Sequence, residues 1–137
     1  MKYKIALALW LVVAFGVAQS KRTVWDGVYS AAQAKRGAEI FKSQCSACHG
    51  EGMTGGGGAP AAAGPEFVFN WKGKSIAELL EYVKANMPPG NAGSLSDQKY
   101  VDAISAMLQT SEFPAGAKDL ATDAAELANL QITQTKP

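Results

Sequence analysis

Apolar residues recur at helical spacing in three stretches of the chain. Ala34, Gly37, Ala38 and Phe41 fall at i, i+3, i+4 and i+7, one face of a helix. Ser30-Ala31-Ala32-Gln33 precedes them as a capping box, the serine hydroxyl accepting from the first turn and Gln33 reaching back. This helix is expected to end near Cys45. Ile76, Leu79, Leu80 and Val83 form the second stripe, opened by the capping box Ser75-Ile76-Ala77-Glu78. It stops at about Asn86, because Met87 precedes Pro88-Pro89 and a residue before proline avoids the helical region. Tyr100, Val101, Ile104, Met107 and Leu108 form the third. Ser96 caps it, with Leu95 and Tyr100 as a hydrophobic staple, and Phe113-Pro114-Ala115-Gly116 ends it. Leu120, Leu127 and Leu130 give residues 119–130 weak helical character. There is no strand of substance and no internal repeat. The pattern predicts an all-α fold of about three main helices plus a weak C-terminal one.

Between the stripes, residues 50–64 are rich in Gly, Ala and Pro and include the run Gly55-Gly56-Gly57-Gly58, which no regular element survives. Phe67-Val68-Phe69-Asn70-Trp71 is an aromatic cluster, and residues 87–94 form a second loop. The first 20 residues differ from the rest. Lys2 and Lys4 precede an apolar run over residues 5–17, and Gly16-Val17-Ala18 offers a small-x-small cleavage pattern. That is the layout of a secretory signal peptide, which predicts an exported, periplasmic protein. The apolar run is shorter than the roughly 20 residues of a membrane span, so a membrane role would require the segment to remain as an anchor. The chain then divides into a signal peptide (1–20), a lead-in (21–30), a domain over 31–113 and an extension over 114–137.

Of 13 basic residues, two leave with residues 1–20, so 11 face 12 acidic ones. The mature chain is near neutral to mildly acidic. With no basic patch or Lys/Arg-rich helix, nothing points to nucleic acid.

Both cysteines sit in Cys45-Ser46-Ala47-Cys48-His49. Two thiols three positions apart can each add to one of the two vinyl groups on a haem edge, and the adjacent imidazole then reaches the iron. This is the c-type haem attachment signature. It predicts one covalently attached haem c, with Cys45, Cys48 and His49 as its anchors. A four-ligand zinc site would need carboxylates to complete it. A thioredoxin-like pair usually sits in a βαβ setting, absent here. A plain disulfide is a third alternative.

His49 is the sole histidine, so no second imidazole exists for the iron. The sixth ligand is then a methionine, water, an exogenous molecule or a less usual side chain. Met53 follows His49 by four residues, too close to cross easily to the other haem face, and Met107 lies on the apolar side of a helix. Met87, extended before two prolines and 38 residues beyond His49, is the strongest candidate. A thioether ligand favours Fe(II) and raises the potential.

With these residues in hand, the chain resembles the class I cytochrome c family across residues 30–113. The resemblance rests on Gly37…Phe41, Cys45-Ser-Ala-Cys48-His49-Gly50, the Gly/Pro loop, Met87-Pro88-Pro89 and the final capped helix. Ala59-Pro60…Gly64-Pro65-Glu66-Phe67 and Met87-Pro-Pro-Gly-Asn-Ala-Gly-Ser-Leu-Ser-Asp look like bacterial exported cytochromes, some of which occur beside quinoprotein dehydrogenases. The resemblance implies a cytochrome c-like fold wrapped around one haem, its first and last helices crossing near Gly37 and Phe41. Where the family often has an aromatic at the crossing, this chain has Ala106. The resemblance also implies that the Pro60 carbonyl accepts from the axial histidine and that Trp71 approaches a haem propionate.

The function expected is single-electron transfer between a redox protein donor and acceptor, with a quinoprotein dehydrogenase as one possible partner. Two alternatives stand beside it: a haem subunit of a larger dehydrogenase or oxidase, in which Trp25 and the tail after Phe113 would be docking surface, and an open-site haem sensor or peroxidase. The absence of a distal histidine counts against the last.

Overall fold

The computed structural model describes residues 21–137, so the expected signal peptide lies outside the described residues. Six helices follow one another: α1 (Ala31–Gln44), α2 (Ser46–His49), α3 (Gly64–Trp71), α4 (Ile76–Asn86), α5 (Asp97–Thr110) and α6 (Ala124–Ala128). Two short strands, β1 (Arg22–Thr23) and β2 (Leu130–Gln131), pair in parallel and join the two ends of the described chain. The architecture is all-α, as the sequence predicts. Among the described residues no helix is long and apolar enough to cross a membrane.

The helix starts follow the capping chemistry. Ser30, Ser75 and Ser96 are extended, and each side chain accepts from the backbone N–H three residues on. At Ser75 the box closes, with Glu78 accepting from the Ser75 N–H at 2.7 Å. At Ser30 it does not. Gln33 is fully buried and spends its amide elsewhere: Oε1 accepts from Leu120 N at 2.6 Å, and Nε2 donates to the Leu120 carbonyl and to Asp102, both at 3.0 Å. Gln33, rather than the exposed Ala38, therefore completes the buried face of α1 with Ala34, Gly37 and Phe41.

Two helices go beyond the expected three-plus-one. The aromatic cluster is the body of α3, whose Pro65 stands in the first turn ahead of Glu66. Proline suits that position because its missing N–H would have no intrahelical partner there. One-turn α2 carries the cysteine motif itself.

Helices α1 and α5 cross at Gly37. A Cβ built there would lie 1.7 Å from the Asp102 carbonyl oxygen, inside any permissible contact. Helix α5 is buried on every side from Tyr100 to Leu108, beyond the single stripe of its sequence pattern. The segment after Phe113 adds to this core, with α6 and β2 packed against α4. Leu120, Leu127, Leu130 and Ile132 are almost wholly buried in the same core. Trp25 packs edge-on against Phe113 with centroids 4.9 Å apart, and its Nε1–H donates to the Thr133 carbonyl at 3.2 Å. The tail and Trp25 therefore cover the core, which is the less specific of the two roles the sequence allowed them.

Buried Asp102 anchors this arrangement. Its carboxylate accepts from Gln33, from Gln98 Nε2 at 2.8 Å and from Arg36 Nε at 3.3 Å. A buried carboxylate needs such donors to offset its lost hydration. Arg36 also donates to Asp119 at 2.6 Å. Hydrogen bonds from Ser30 and then Arg36 hold the Asp119 carboxyl below its usual range.

Gly37→Ala should be among the most damaging single-methyl additions in the chain. Overpacking typically costs about 1–3 kcal/mol, and a backbone clash belongs at or above the top of that range. Urea unfolding checks this; a midpoint unchanged from wild type would contradict the close crossing.

A candidate haem cleft at the end of the first helix

Helix α1 delivers the motif. The Cys45 N–H donates to the Phe41 carbonyl at 2.8 Å, and the chain turns directly into α2, with His49 N donating to the Cys45 carbonyl at 3.0 Å. This single turn sets Cys45, Cys48 and His49 along one wall of a cleft. Gly50, at φ +79°, then reverses the chain, and Gly55 N donates back to the His49 carbonyl at 2.9 Å. The glycine-rich segment folds over as a closed loop. Its closure is at Met53, whose carbonyl accepts from Ala62 N and Ala63 N at 2.8 and 3.1 Å. Met53 is buried under this loop and does not line the cleft.

The loop brings the Pro60 carbonyl 2.7 Å from His49 Nδ1. A carbonyl only accepts, so Nδ1 carries the proton and Nε2 keeps its lone pair in the neutral ring. That is the state in which an imidazole binds a metal, oriented by the partner of its other nitrogen.

The cleft holds about 910 Å³ of space, part of it open to solvent. Its walls are largely apolar, Phe41, Phe67, Leu79, Leu95 and Ile104 among others, and among the described residues no Asp, Glu, Lys or Arg lines it. Met87 lies on the lining, at the end of α4. Its backbone is fixed on both sides, the N–H donating to the Val83 carbonyl and the carbonyl accepting from the Tyr100 hydroxyl, each at 2.8 Å. Tyr100 is itself buried and lines the cleft. The sequence gives no sign of this contact beyond an apolar tyrosine at a core position. Met107 is buried as expected, yet it also lines the cleft, so two thioethers reach the space rather than one. Trp71 is half-buried on the wall, edge-on to Tyr82 at 5.3 Å, with Lys74 Nζ 5.1 Å from its ring.

The competing chemistries fit less well. Both cysteines are free. Burial pushes the Cys45 thiol up, the opposite of the lowered value that activates a thioredoxin-like cysteine. Among the described residues no group of three or more His, Cys, Asp or Glu gathers to hold a metal, whereas structural zinc takes four ligands. An apolar, charge-free cleft, two thiols on one wall, one imidazole tied through Nδ1 and a choice of thioethers suit a haem. One helical turn carrying the anchors and an all-α frame closed behind it define a c-type cytochrome.

The chain belongs to the family described as cytochrome c oxidase, cbb3-type, subunit III, which it matches over residues 32–105. It is 37% identical over 76 residues to a thiosulfate dehydrogenase of Psychrobacter arcticus (strain DSM 17307 / VKM B-2377 / 273-4), covering 50% of this chain and 23% of that protein. The chain thus spans about a quarter of that relative's length. No solved structure matches it.

Tyr100→Phe removes the donor to the Met87 carbonyl and leaves that acceptor unpaired. Loss of stability by about 1–3 kcal/mol is expected. Chemical denaturation measures it, and an unchanged stability would show that the hydroxyl does not hold the Met87 segment.

Proposed function

We propose that this chain is an exported, periplasmic monohaem cytochrome that passes single electrons between redox proteins. In this reading Cys45 and Cys48 form the two thioethers, His49 Nε2 and the Met87 sulfur hold the iron, and Trp71 donates its indole N–H to a propionate. The observation that carries it is the His49–Pro60 hydrogen bond inside a cleft that Met87 also lines. When bound, haem c supplies a one-electron Fe(III)/Fe(II) couple.

The chain's own groups fit that task. Pro60 fixes the tautomer and orientation of the His49 ring. Tyr100 and the Val83 carbonyl hold the Met87 backbone, so the thioether is offered from a preset position. The apolar walls exclude water and make a charged centre less favourable, which with a soft sulfur ligand favours the reduced state. Among the described residues no Asp, Glu, Lys, Arg or second histidine lines the cleft beside His49 to assist bond cleavage, which supports a carrier over a peroxidase. A haem subunit of a larger dehydrogenase is the second reading. It is favoured by the similarity to part of a thiosulfate dehydrogenase, and such an enzyme is the donor class to test first.

Redox titration with optical spectra on wild type and Met87→Ala tests the ligand assignment. Wild type should be six-coordinate and low-spin. The variant should lose that spectrum, and its potential should fall on the order of 0.1 V, within the roughly 0.8 V that axial ligation spans. A variant with the wild-type spectrum and potential would move the ligand to Met107 or elsewhere. A five-coordinate wild-type haem would instead support a sensor or peroxidase.

A further inference from the structure

Two of the segments that frame the cleft carry almost no charge, in contrast to its Trp71–Tyr82 side, where Lys72, Lys74, Glu78 and Glu81 stand. From Ser43 to Pro65 the sequence holds one charged side chain, Glu51, and residues 86–96 hold none, in a chain that is 18% charged. These stretches are the mouth of the site. Ala47 and Cys48 are exposed, as are residues 56–58 and 89–94. A Cβ on Gly57 would lie 3.7 Å from the Cys48 carbonyl oxygen, so the glycine loop lies directly beside the motif. Pro60 and Ala61 line the cleft from that loop, and Pro88 and Pro89 line it from the other. The charges bracketing residues 86–96 cancel locally, since Lys84 Nζ lies 2.5 Å from Asp97. The charged positions of α1, Lys35, Arg36, Glu39 and Lys42, lie before the motif.

We propose that this uncharged face, continuous with the exposed edge of the cleft, docks a redox protein whose own electron-exit face is uncharged and built of small apolar side chains. The inference rests on the haem reading above and specifies its partner. A partner placing charged groups here would strip their hydration and find no opposite charge to offset it. An uncharged partner face loses little on contact and gains from apolar burial. Electron-transfer encounters are small, burying under about 1,200 Å², so the rim and its two loops suffice. Selectivity would come from shape, and the encounter would lack the long-range steering that charged faces supply.

A second copy of this chain is a suitable probe, because its face has the chemistry assigned to the partner. In electron self-exchange one electron passes from a reduced to an oxidised copy, and no bond forms or breaks. The rate is read from haem-methyl NMR line broadening in mixtures of the two oxidation states of the mature holoprotein, at low and high salt. Two variants each add one cation. Ala92→Lys places it in the loop at the mouth. Ala32→Lys places it on α1, 13 residues before Cys45 and so about 20 Å away along the helix. The wild-type rate should change less than about twofold with salt, whereas steered or repelled faces change about tenfold or more. Ala92→Lys should slow exchange severalfold at low salt and recover at high salt, while Ala32→Lys tracks wild type. A tenfold salt dependence in wild type, or equal effects of the two lysines, would overturn the proposal. A protein with no haem resonances would overturn the haem reading itself, which separates the two failures.

Discussion

The backbone contact at Gly37 organises the molecule. With no Cβ, α1 approaches the Asp102 carbonyl of α5 more closely than any other residue type permits. That approach fixes where α1 ends, and therefore where α2 presents Cys45, Cys48 and His49. It also sets α5, which contributes Tyr100, Ile104 and Met107 to the same cleft. One side chain placed at the crossing would shift both walls at once. The site is thus a product of helix packing, with the loops added to it. Asp102 reinforces the crossing through its side chain, collecting donors from α1 and from its own helix.

Two loops finish what the helices begin, and they do so by backbone hydrogen bonding. The first needs glycine to reverse at Gly50 and closes on the Met53 carbonyl, which brings Pro60 to the imidazole. The second hangs from the end of α4 and is tied by Tyr100 to α5. Each presents one group to the cleft from a fixed backbone. In the function proposed above, such preset groups would suit electron transfer, where both oxidation states should hold the same geometry. The same loops leave the mouth nearly free of charge.

Much of this is legible in the sequence because it depends on local chemistry. Serine caps, the proline stop after Asn86 and the cysteine–histidine motif act over a few residues, and each lies where the pattern puts it. The glycine at 37 and the Pro60 carbonyl are nonlocal, and they were legible only through resemblance to a family. The misses share a cause. Gln33 reads as a capping residue, but the tail offers it a buried backbone partner at Leu120, and burial decides the competition. Helix α3 reads as an aromatic cluster, since its short span hides periodicity and only Pro65-Glu66 marks its start. The tail reads as weakly helical, yet it buries four apolar side chains and packs α6 and β2 against α4. Tyr100 shows in the sequence as a core residue, and its hydroxyl contact appears only when two segments meet.

The central claim is that Cys45 and Cys48 bind one haem covalently. Intact-mass measurement of the mature protein, made in a host that exports and matures c-type cytochromes and then denatured in acid, tests it most directly. A single species heavier than the bare polypeptide by one haem, with no free thiol, is expected. A polypeptide at its bare mass, with Cys45 and Cys48 reduced or joined as a disulfide, would contradict it.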